Sequence, residues 1–282
     1  MKIEDIPAGE SWACRFKVKT FVDKETGLAV QDKNLQIGQA HKGIPGLYES
    51  VGIIQVRDVA NKIVQVLDTV TDILKVSDQY KEICYPMLGL HPCYIKGNFE
   101  YEINEIFKNF SSKIIAVGEI GLDFFRTNEN KKDQIKAFEI QCEYAISKNK
   151  PIVIHTRSSI DETIKVVKKY SSKGIRGVFH CFSGSLDQAN EIIDLGFKIG
   201  VGGVLTFKNS NLKTVISQID LSHIILETDS PYLSPEPRRG SVNEPANIIY
   251  VSQKLSEICV VPIELVSNIT TLNVINLFDL HS

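Results

Sequence analysis

The chain has 282 residues, of which 43% are hydrophobic and 23% are charged, and its formal net charge is −2. This composition is typical of a globular protein and excludes an intrinsically disordered chain. The nearly balanced charge also excludes a basic field over the whole surface. A nucleic-acid partner would therefore have to be attracted by local charge or by metal ions.

The amino terminus and the cysteines favour a cytoplasmic protein. The first residues include acidic side chains where a secretory signal peptide has a basic region. No stretch approaches the roughly 18 apolar residues of a membrane span. The six cysteines are scattered without a CxxC pair, and a chain of this size does not need disulfides to fold. We expect a cytoplasmic location without a membrane partner.

Residues 1–66 predict a small β-rich module of unknown role. The stretch "SWACRFKVKTFV" alternates as a strand does, with Phe16, Val18 and Thr20 on one face. The stretch "YESVGIIQVRDVANKIVQVLD" indicates two strands joined by a short turn near Ala60 and Asn61. The remainder, residues 67–282, has a different pattern and is predicted to be a barrel domain, and the sequence leaves open whether residues 1–66 contribute strands to it or lie apart from it.

From residue 67 onwards, apolar strands alternate with helical patterns. Six apolar runs stop at a polar or glycine residue: "YPMLGLHP", "KIIAVGEIGLD", "KPIVIHTR", "IRGVFHCFSG", "GFKIGVGG" and "SHIILETDSP". Continuous apolar strands separated by helices, such as "KDQIKAFEIQCEYAISKN", indicate a parallel α/β sheet. Functional residues at almost every strand end favour a TIM-type (β/α)8 barrel over an open sheet. Since six strands are found instead of eight, we expect the barrel to be incomplete or altered at its first two strands.

Four polar residues at these strand ends are predicted metal ligands: Glu119, His155, His180 and Asp229. A single histidine in such a place is more often a hydrogen-bonded structural residue than a ligand. A barrel, however, gathers all four around one mouth, where unpaired imidazoles and carboxylates would be costly to bury. A divalent ion is the natural partner. Mixed histidine and carboxylate shells suit Zn²⁺ or Mn²⁺, whereas oxygen-only shells favour Mg²⁺.

Asp229 and Glu119 are also the predicted catalytic residues. A carboxylate that touches both a metal and its water can orient that water or accept its proton, while the metal lowers the pKa of the water. One or two divalent ions per chain, Mg²⁺, Mn²⁺ or Zn²⁺, are expected as cofactors.

The predicted substrate-binding residues are His91, Arg157, Arg238 and Arg239. The paired arginines of "RRG" indicate an anionic substrate, because the guanidinium fork matches phosphate. Arg157 follows His155 by two residues at the predicted mouth. His91 could either support a metal ligand or contact the substrate, and these two alternatives remain open.

Six motifs together resemble the TatD-related deoxyribonucleases. They are "GLHP", "VGEIGLD", "KPIVIHTR", "GVFHCFSG", "ETDSPYLSP" and "RRGSVNEP", in the order and approximate spacing of that family over about residues 67–282. The resemblance implies a metal-dependent TIM-barrel hydrolase that cleaves DNA phosphodiester bonds by metal-activated water attack. It further implies a 3′–5′ exonuclease whose partner is single-stranded DNA or a 3′ end.

The resemblance also implies roles for individual residues. Glu119 would bridge two metals, with His155 and His180 holding one of them and Asp229 helping to hold the other. Further residues match positions that shape the same mouth: Glu227, Ser230, Asn243, Glu244 and Pro245.

The sequence departs from the family at its beginning. The family's first strand ends in a His-x-His pair that ligates one metal, and this sequence contains no His-x-His. Three alternatives follow: an enzyme with one metal or with substitute ligands, an impaired homologue that keeps metal or nucleic-acid binding, and a fused or mis-joined gene. A metallohydrolase of another ester or amide substrate is a separate alternative.

Overall fold

The computed structural model describes residues 10–22, 29–30, 47–58, 74, 77–78, 85–125, 130–230 and 232–280. In these residues nine strands form one sheet. Their bounds are β1 Glu10–Val22, β2 Ala29–Val30, β3 Leu47–Asp58, β4 Tyr85–Leu88, β5 Ala116–Asp123, β6 Ile152–Arg157, β7 Gly177–Phe179, β8 Lys198–Val201 and β9 Ile224–Leu226. The α-helices are α1 Phe99–Lys108, α2 Lys131–Ser147, α3 Ile160–Lys168, α4 Leu186–Asp194, α5 Leu212–Ile216, α6 Ile248–Cys259 and α7 Ile263–Leu277.

The six predicted strands are confirmed as β4 to β9, which pair in parallel and in chain order. Helices connect them, and the strands are buried because each consists largely of apolar residues. All eight residues of β5 are buried. The result is a curled parallel sheet covered by helices, which confirms the predicted incomplete or altered barrel.

Two strands from the amino-terminal part extend this sheet beyond β4. The strand β1 pairs antiparallel with β4, and β3 pairs antiparallel with β1 over its length. The strand β3 also contacts β9 and α7. These two strands therefore stand where a regular barrel has its first two parallel strands. The predicted turn after β3, near Ala60 and Asn61, lies outside the described residues, and the domain boundary at 66/67 stays a prediction.

The helix α2 follows its predicted pattern and adds two polar residues to the core. Of the four apolar residues that its helical spacing predicts on one face, Phe138, Cys142 and Ala145 are buried and Ile135 is half-buried. Gln134 and Gln141, seven residues apart on the same helix, are buried as well. Both side chains form hydrogen bonds with the backbone, Gln134 at the end of β5 and Gln141 just beyond β4, so α2 contributes to the position of the mouth as well as to the core.

In the part of the chain that the structure describes, no single helix is long and apolar enough to cross a membrane. The segments Pro245–Cys259 and Ile263–Leu277 reach that length only as a pair, and they are bent by 111° relative to each other.

Candidate metal centre

Seven ionisable side chains converge at the carboxyl-end mouth of the parallel sheet. They come from the strands or from the segments that follow them, and each is at most 5% exposed. The set contains the four predicted metal ligands and three further residues: His91, Glu119, Asp123, His155, His180, Glu227 and Asp229.

Glu119 is the centre of this cluster. Its Oε1 lies 2.8 Å from His155 Nδ1 and 3.4 Å from His180 Nε2, and its Oε2 lies 3.6 Å from His91 Nε2. Burial alone would raise the pKa of Glu119, but the charges of His180, His91 and His155 outweigh it and hold that pKa well below its usual range. The carboxylate is therefore ionised and surrounded by imidazoles.

The backbone position of Glu119 differs from the predicted one. The apolar pattern predicts a ligand at a strand end, whereas β5 continues past Glu119 to Asp123. The pairing of β5 with β6 shifts between Gly118 and Ile120, so Glu119 lies at an irregularity in the ladder. A bulge of this kind redirects a side chain without ending the strand.

His155 is held between two carboxylates. Its Nδ1 lies 2.8 Å from Glu119 Oε1, and its Nε2 lies 3.1 Å from Asp123 Oδ2. Burial raises the pKa of Asp123, but the hydrogen bond and the charge of His155 together lower it well below its usual range. Glu119 and Asp123 together fix the orientation of this ring. A carboxylate bonded to one ring nitrogen orients an imidazole for metal binding through its other nitrogen.

His180 lies between the two predicted catalytic carboxylates. Its Nδ1 is 2.9 Å from Glu227 Oε2, and its Nε2 is 3.4 Å from Glu119 Oε1 and 3.6 Å from Asp229 Oδ1. Burial lowers the pKa of His180, but Glu227 and then Glu119 raise it to about 10. Glu227 thus orients the ring so that Nε2 faces the carboxylates on which a metal could be held.

A glycine makes room for this orienting carboxylate. A Cβ added at Gly200, in β8, would lie 2.7 Å from Glu227 Oε2 and 3.0 Å from the Cα of His180. This requirement explains a glycine inside a buried strand of the stretch "GFKIGVGG", where a β-branched residue would otherwise be expected.

Asp229 lies in a turn that a single buried amide holds in place. Its backbone has φ of 52°, in the left-handed region that non-glycine residues seldom adopt. Asn243 Nδ2 donates hydrogen bonds of 2.6 Å to the carbonyl oxygens of Thr228 and Tyr232, on either side of Asp229. Its Oδ1 accepts from the next backbone N–H and from Asn247 Nδ2. The hydrogen-bonding capacity of Asn243 is thereby filled.

The hydrogen bonds of His91 favour a donor role. Its Nδ1 accepts from the backbone N–H of Cys93 at 3.1 Å. In the neutral ring the proton is therefore on Nε2, the atom that faces Glu119. A nitrogen that carries a proton can donate a hydrogen bond but cannot bind a metal.

The strand ends beneath these side chains are fixed by the two glutamines of α2. Gln141 accepts from the N–H of Leu90 at 2.7 Å and donates to its carbonyl at 3.1 Å. Gln134 does the same for Asp123, at 2.8 Å and 3.0 Å. The sequence pattern offers one signal for this pair, their spacing of two helical turns on the buried stripe.

The three predicted substrate arginines lie around the rim. Arg157 is exposed and its guanidinium lies 3.9 Å from the centroid of the Phe125 ring. Arg239 is exposed, lies 3.9 Å from the centroid of Phe207 and donates to the Ser234 carbonyl at 3.0 Å. Arg238 is half-buried.

The chemistry of the cluster fits a divalent ion. Ligand atoms of His91, Glu119 and His155 all lie within 4.8 Å of one another, and a second such group consists of His180, Cys181 and Glu227. The cluster contains four carboxylates and three imidazoles, so a cation would offset buried negative charge. Imidazole nitrogen and carboxylate oxygen together suit Zn²⁺ or Mn²⁺. These two groups include three of the four predicted metal ligands, Glu119, His155 and His180, whereas Asp229 belongs to neither group, and its Oδ1 lies 3.6 Å from His180 Nε2. If a metal binds here, the predicted ligands Glu119, His155, His180 and Asp229 would hold it.

A curled parallel sheet with this cluster at its carboxyl ends defines a metallohydrolase with a TIM-barrel-type fold. The family described as TatD related DNase matches residues 31–279. The chain therefore belongs to the TatD family of metal-dependent hydrolases.

Similar proteins are described as metal-dependent hydrolases or as TatD homologues. The chain is 38% identical over 217 residues to an uncharacterized metal-dependent hydrolase of Buchnera aphidicola. The aligned region covers 74% of this chain and 82% of that protein. It is 32% identical over 216 residues to the uncharacterized metal-dependent hydrolase YabD of Bacillus subtilis, covering 76% of this chain and 84% of YabD. The crystal structure of YjjV, a TatD homologue from Escherichia coli K12, is similar with a TM-score of 0.70 and 29% identity, covering 76% of this chain and 83% of YjjV.

Proposed function

We propose that this protein is a cytoplasmic, metal-dependent deoxyribonuclease that hydrolyses phosphodiester bonds of single-stranded DNA or of a 3′ end. The observation that carries the proposal is the buried Glu119 carboxylate, which contacts three histidines at the mouth of the barrel. Membership in the TatD family, whose description is a DNase, favours DNA as the substrate.

The side chains of the cluster have different roles in the proposed reaction. A divalent ion, when bound, would supply positive charge that lowers the pKa of a water molecule and neutralises a phosphate oxygen. Asp123 and Glu227 hold the rings of His155 and His180 in the orientation that metal binding requires. Asp229 Oδ1 accepts the proton that the attacking water loses, because this carboxylate oxygen lies in the same cluster, 3.6 Å from His180 Nε2.

The remaining residues act on the substrate. His91 donates from Nε2 towards the cluster, where a phosphate oxygen could accept the hydrogen bond. The rim arginines, Arg157, Arg238 and Arg239, carry the positive charge that a phosphodiester chain needs near the mouth. Local charge of this kind is required because the net charge of the whole chain is −2.

The test is cleavage of single-stranded DNA labelled at its 5′ or 3′ end, with Mg²⁺, Mn²⁺ or Zn²⁺ supplied. We expect progressive shortening from the 3′ end and loss of cleavage in Asp229→Asn. Asp187→Asn, at an exposed position of α4, is the matched control and should leave cleavage unchanged. Cleavage that survives Glu119→Ala combined with His155→Ala would contradict the assignment of the site.

One observation favours a second candidate, an impaired homologue that binds metal or nucleic acid without turnover. The sequence lacks the His-x-His pair that the family resemblance leads one to expect. Stoichiometric metal binding by calorimetry, with DNA left uncut in all three metals, would support this candidate. Hydrolysis of a carboxylic ester or an amide by the same preparation would instead indicate a different substrate.

A further inference from the structure

The strands β5 and β6 lead into a stacked pair of side chains, Phe125 and Arg157. The Phe125 side chain is 63% exposed, which is unusual for a phenylalanine in a chain with a well-filled core. The guanidinium of Arg157 lies 3.9 Å from the centroid of its ring, close enough for a cation–π interaction.

This pair is joined directly to the metal centre. Phe125 follows Asp123 by two residues, and its backbone N–H donates to Asp123 Oδ1 at 3.0 Å. Arg157 follows His155 by two residues and faces Asp123 in the register of β5 and β6. The same Asp123 carboxylate contacts His155 Nε2. A ligand on the stacked pair would therefore lie at the rim beside the predicted catalytic side chains.

The fold does not explain why a phenylalanine stands here. The cation–π contact covers part of the ring, but an exposed polar residue would avoid the cost of leaving an aromatic ring in water. Stacking orients the guanidinium plane and leaves its N–H edges available to an anion. An aromatic face beside such an edge matches the base and the phosphate of one nucleotide.

A second pair with the same separation lies in the segments that follow β8 and β9. Arg239 lies 3.9 Å from the centroid of Phe207, which follows β8 and the short 3₁₀ helix Gly203–Thr206. Phe207 is only half-buried, and Arg239 is further fixed by the Ser234 carbonyl. Two of the three arginines predicted to bind substrate are thus stacked on phenylalanine rings.

We propose that Phe125 and Arg157 form a binding position for one nucleotide of a single-stranded nucleic acid, with the base stacked on the phenylalanine and the phosphate bound by the arginine. The inference rests on the proposed function and deepens it, because it assigns a base-dependent contact to a site that otherwise recognises only phosphate. A small phosphodiester without bases would not use this position.

The test compares binding of two fluorescent probes of equal length, an oligothymidylate and an oligomer of abasic deoxyribose phosphates, with a chelator present to prevent hydrolysis. We expect the Phe125→Ala variant to bind the oligothymidylate about tenfold more weakly and the abasic oligomer unchanged. Phe125→Tyr, which keeps an aromatic ring, should bind the oligothymidylate as tightly as the unsubstituted protein does. Arg157→Gln should weaken the binding of both probes.

The matched control is Tyr101→Ala, which removes another exposed aromatic ring, 52% exposed, from α1. It should leave the binding of both probes unchanged. Equal effects of Phe125→Ala on the two probes, or no effect on either, would overturn the inference.

Failure of the inference and failure of the proposed function give different results. If the oligothymidylate is cut with added metal but Phe125→Ala shows no base-dependent loss of affinity, the nuclease stands and the nucleotide position is refuted. If no metal supports cleavage but the base-dependent loss is measured, the nucleotide position is supported and the nuclease is refuted.

Discussion

The Asn243→Asp substitution isolates the role of one amide in the position of Asp229. Asparagine and aspartate have nearly the same shape, so the substitution leaves no cavity. It replaces the Nδ2 donor by an oxygen, and the carbonyl oxygens of Thr228 and Tyr232 lose the hydrogen bonds of 2.6 Å that they accept. Asn243 is completely buried, so water cannot take over as donor.

The loss of free energy follows from these contacts. A buried carbonyl oxygen that loses its donor costs about 1–3 kcal/mol, and two such oxygens give about 2–6 kcal/mol. Total stabilities of folded domains are about 5–15 kcal/mol, so the variant should unfold at clearly lower denaturant concentration. We also expect weaker metal binding, because the turn no longer holds Asp229 in its left-handed backbone conformation.

Denaturant unfolding followed by circular dichroism measures the first effect, and isothermal titration with Mn²⁺ or Zn²⁺ measures the second. The matched control is Asn211→Asp, the same chemical change at an exposed position, which should shift stability by no more than about 0.5 kcal/mol. If Asn243→Asp behaves like this control in both measurements, Asn243 does not position the turn.

Three further predictions concern His180 and its neighbours. Glu227→Gln should weaken metal binding by about 10- to 100-fold, because the carboxylate that orients His180 is lost; an unchanged dissociation constant in a metal titration would contradict that role. In the metal-free protein, burial lowers the pKa of His180 but Glu227 and Glu119 raise it to about 10, so at neutral pH the ring is charged and metal binding must release its proton. Metal affinity should therefore increase as the pH rises towards that value, and calorimetry in buffers of different ionisation enthalpy should show proton release; a binding enthalpy independent of the buffer would argue against it. Gly200→Ala should reduce both stability, by about 1–3 kcal/mol, and metal affinity, because its Cβ would lie 2.7 Å from Glu227 Oε2; Gly97→Ala, with open space around the added Cβ, is the control and should leave metal affinity unchanged.

The sequence predicts the parallel strands well because burial on both faces makes each strand a continuous apolar run. The strands β6 and β9 are examples, and the polar residues that follow these runs predict where an active-site mouth must lie. The position of Glu119 is less well predicted, because β5 continues past this polar residue instead of ending there. A ladder irregularity such as the one between Gly118 and Ile120 depends on pairing with β6, and no local pattern encodes it.

The supporting residues are harder to predict for a related reason. Gln134 and Gln141 occupy positions that the helical period assigns to apolar side chains, and only the strand ends opposite them give them partners. Asn243 bonds to carbonyls 15 and 11 residues earlier in the chain, a contact that the turn itself creates. Such contacts require the three-dimensional fold, whereas their residue types are compatible with ordinary surface loops.

The reversed direction of β1 changes which residues can stand at the mouth. In the parallel strands the carboxyl end faces the metal centre, whereas β1 runs antiparallel to β4 and brings its amino end there. The strand β3, antiparallel to β1, again directs its carboxyl end to the mouth, so the register pair of Glu10 and Asp58 stands at this edge of the sheet. The sheet edge at the mouth is therefore formed by the amino end of one strand and the carboxyl end of the next, whereas a regular barrel presents carboxyl ends only.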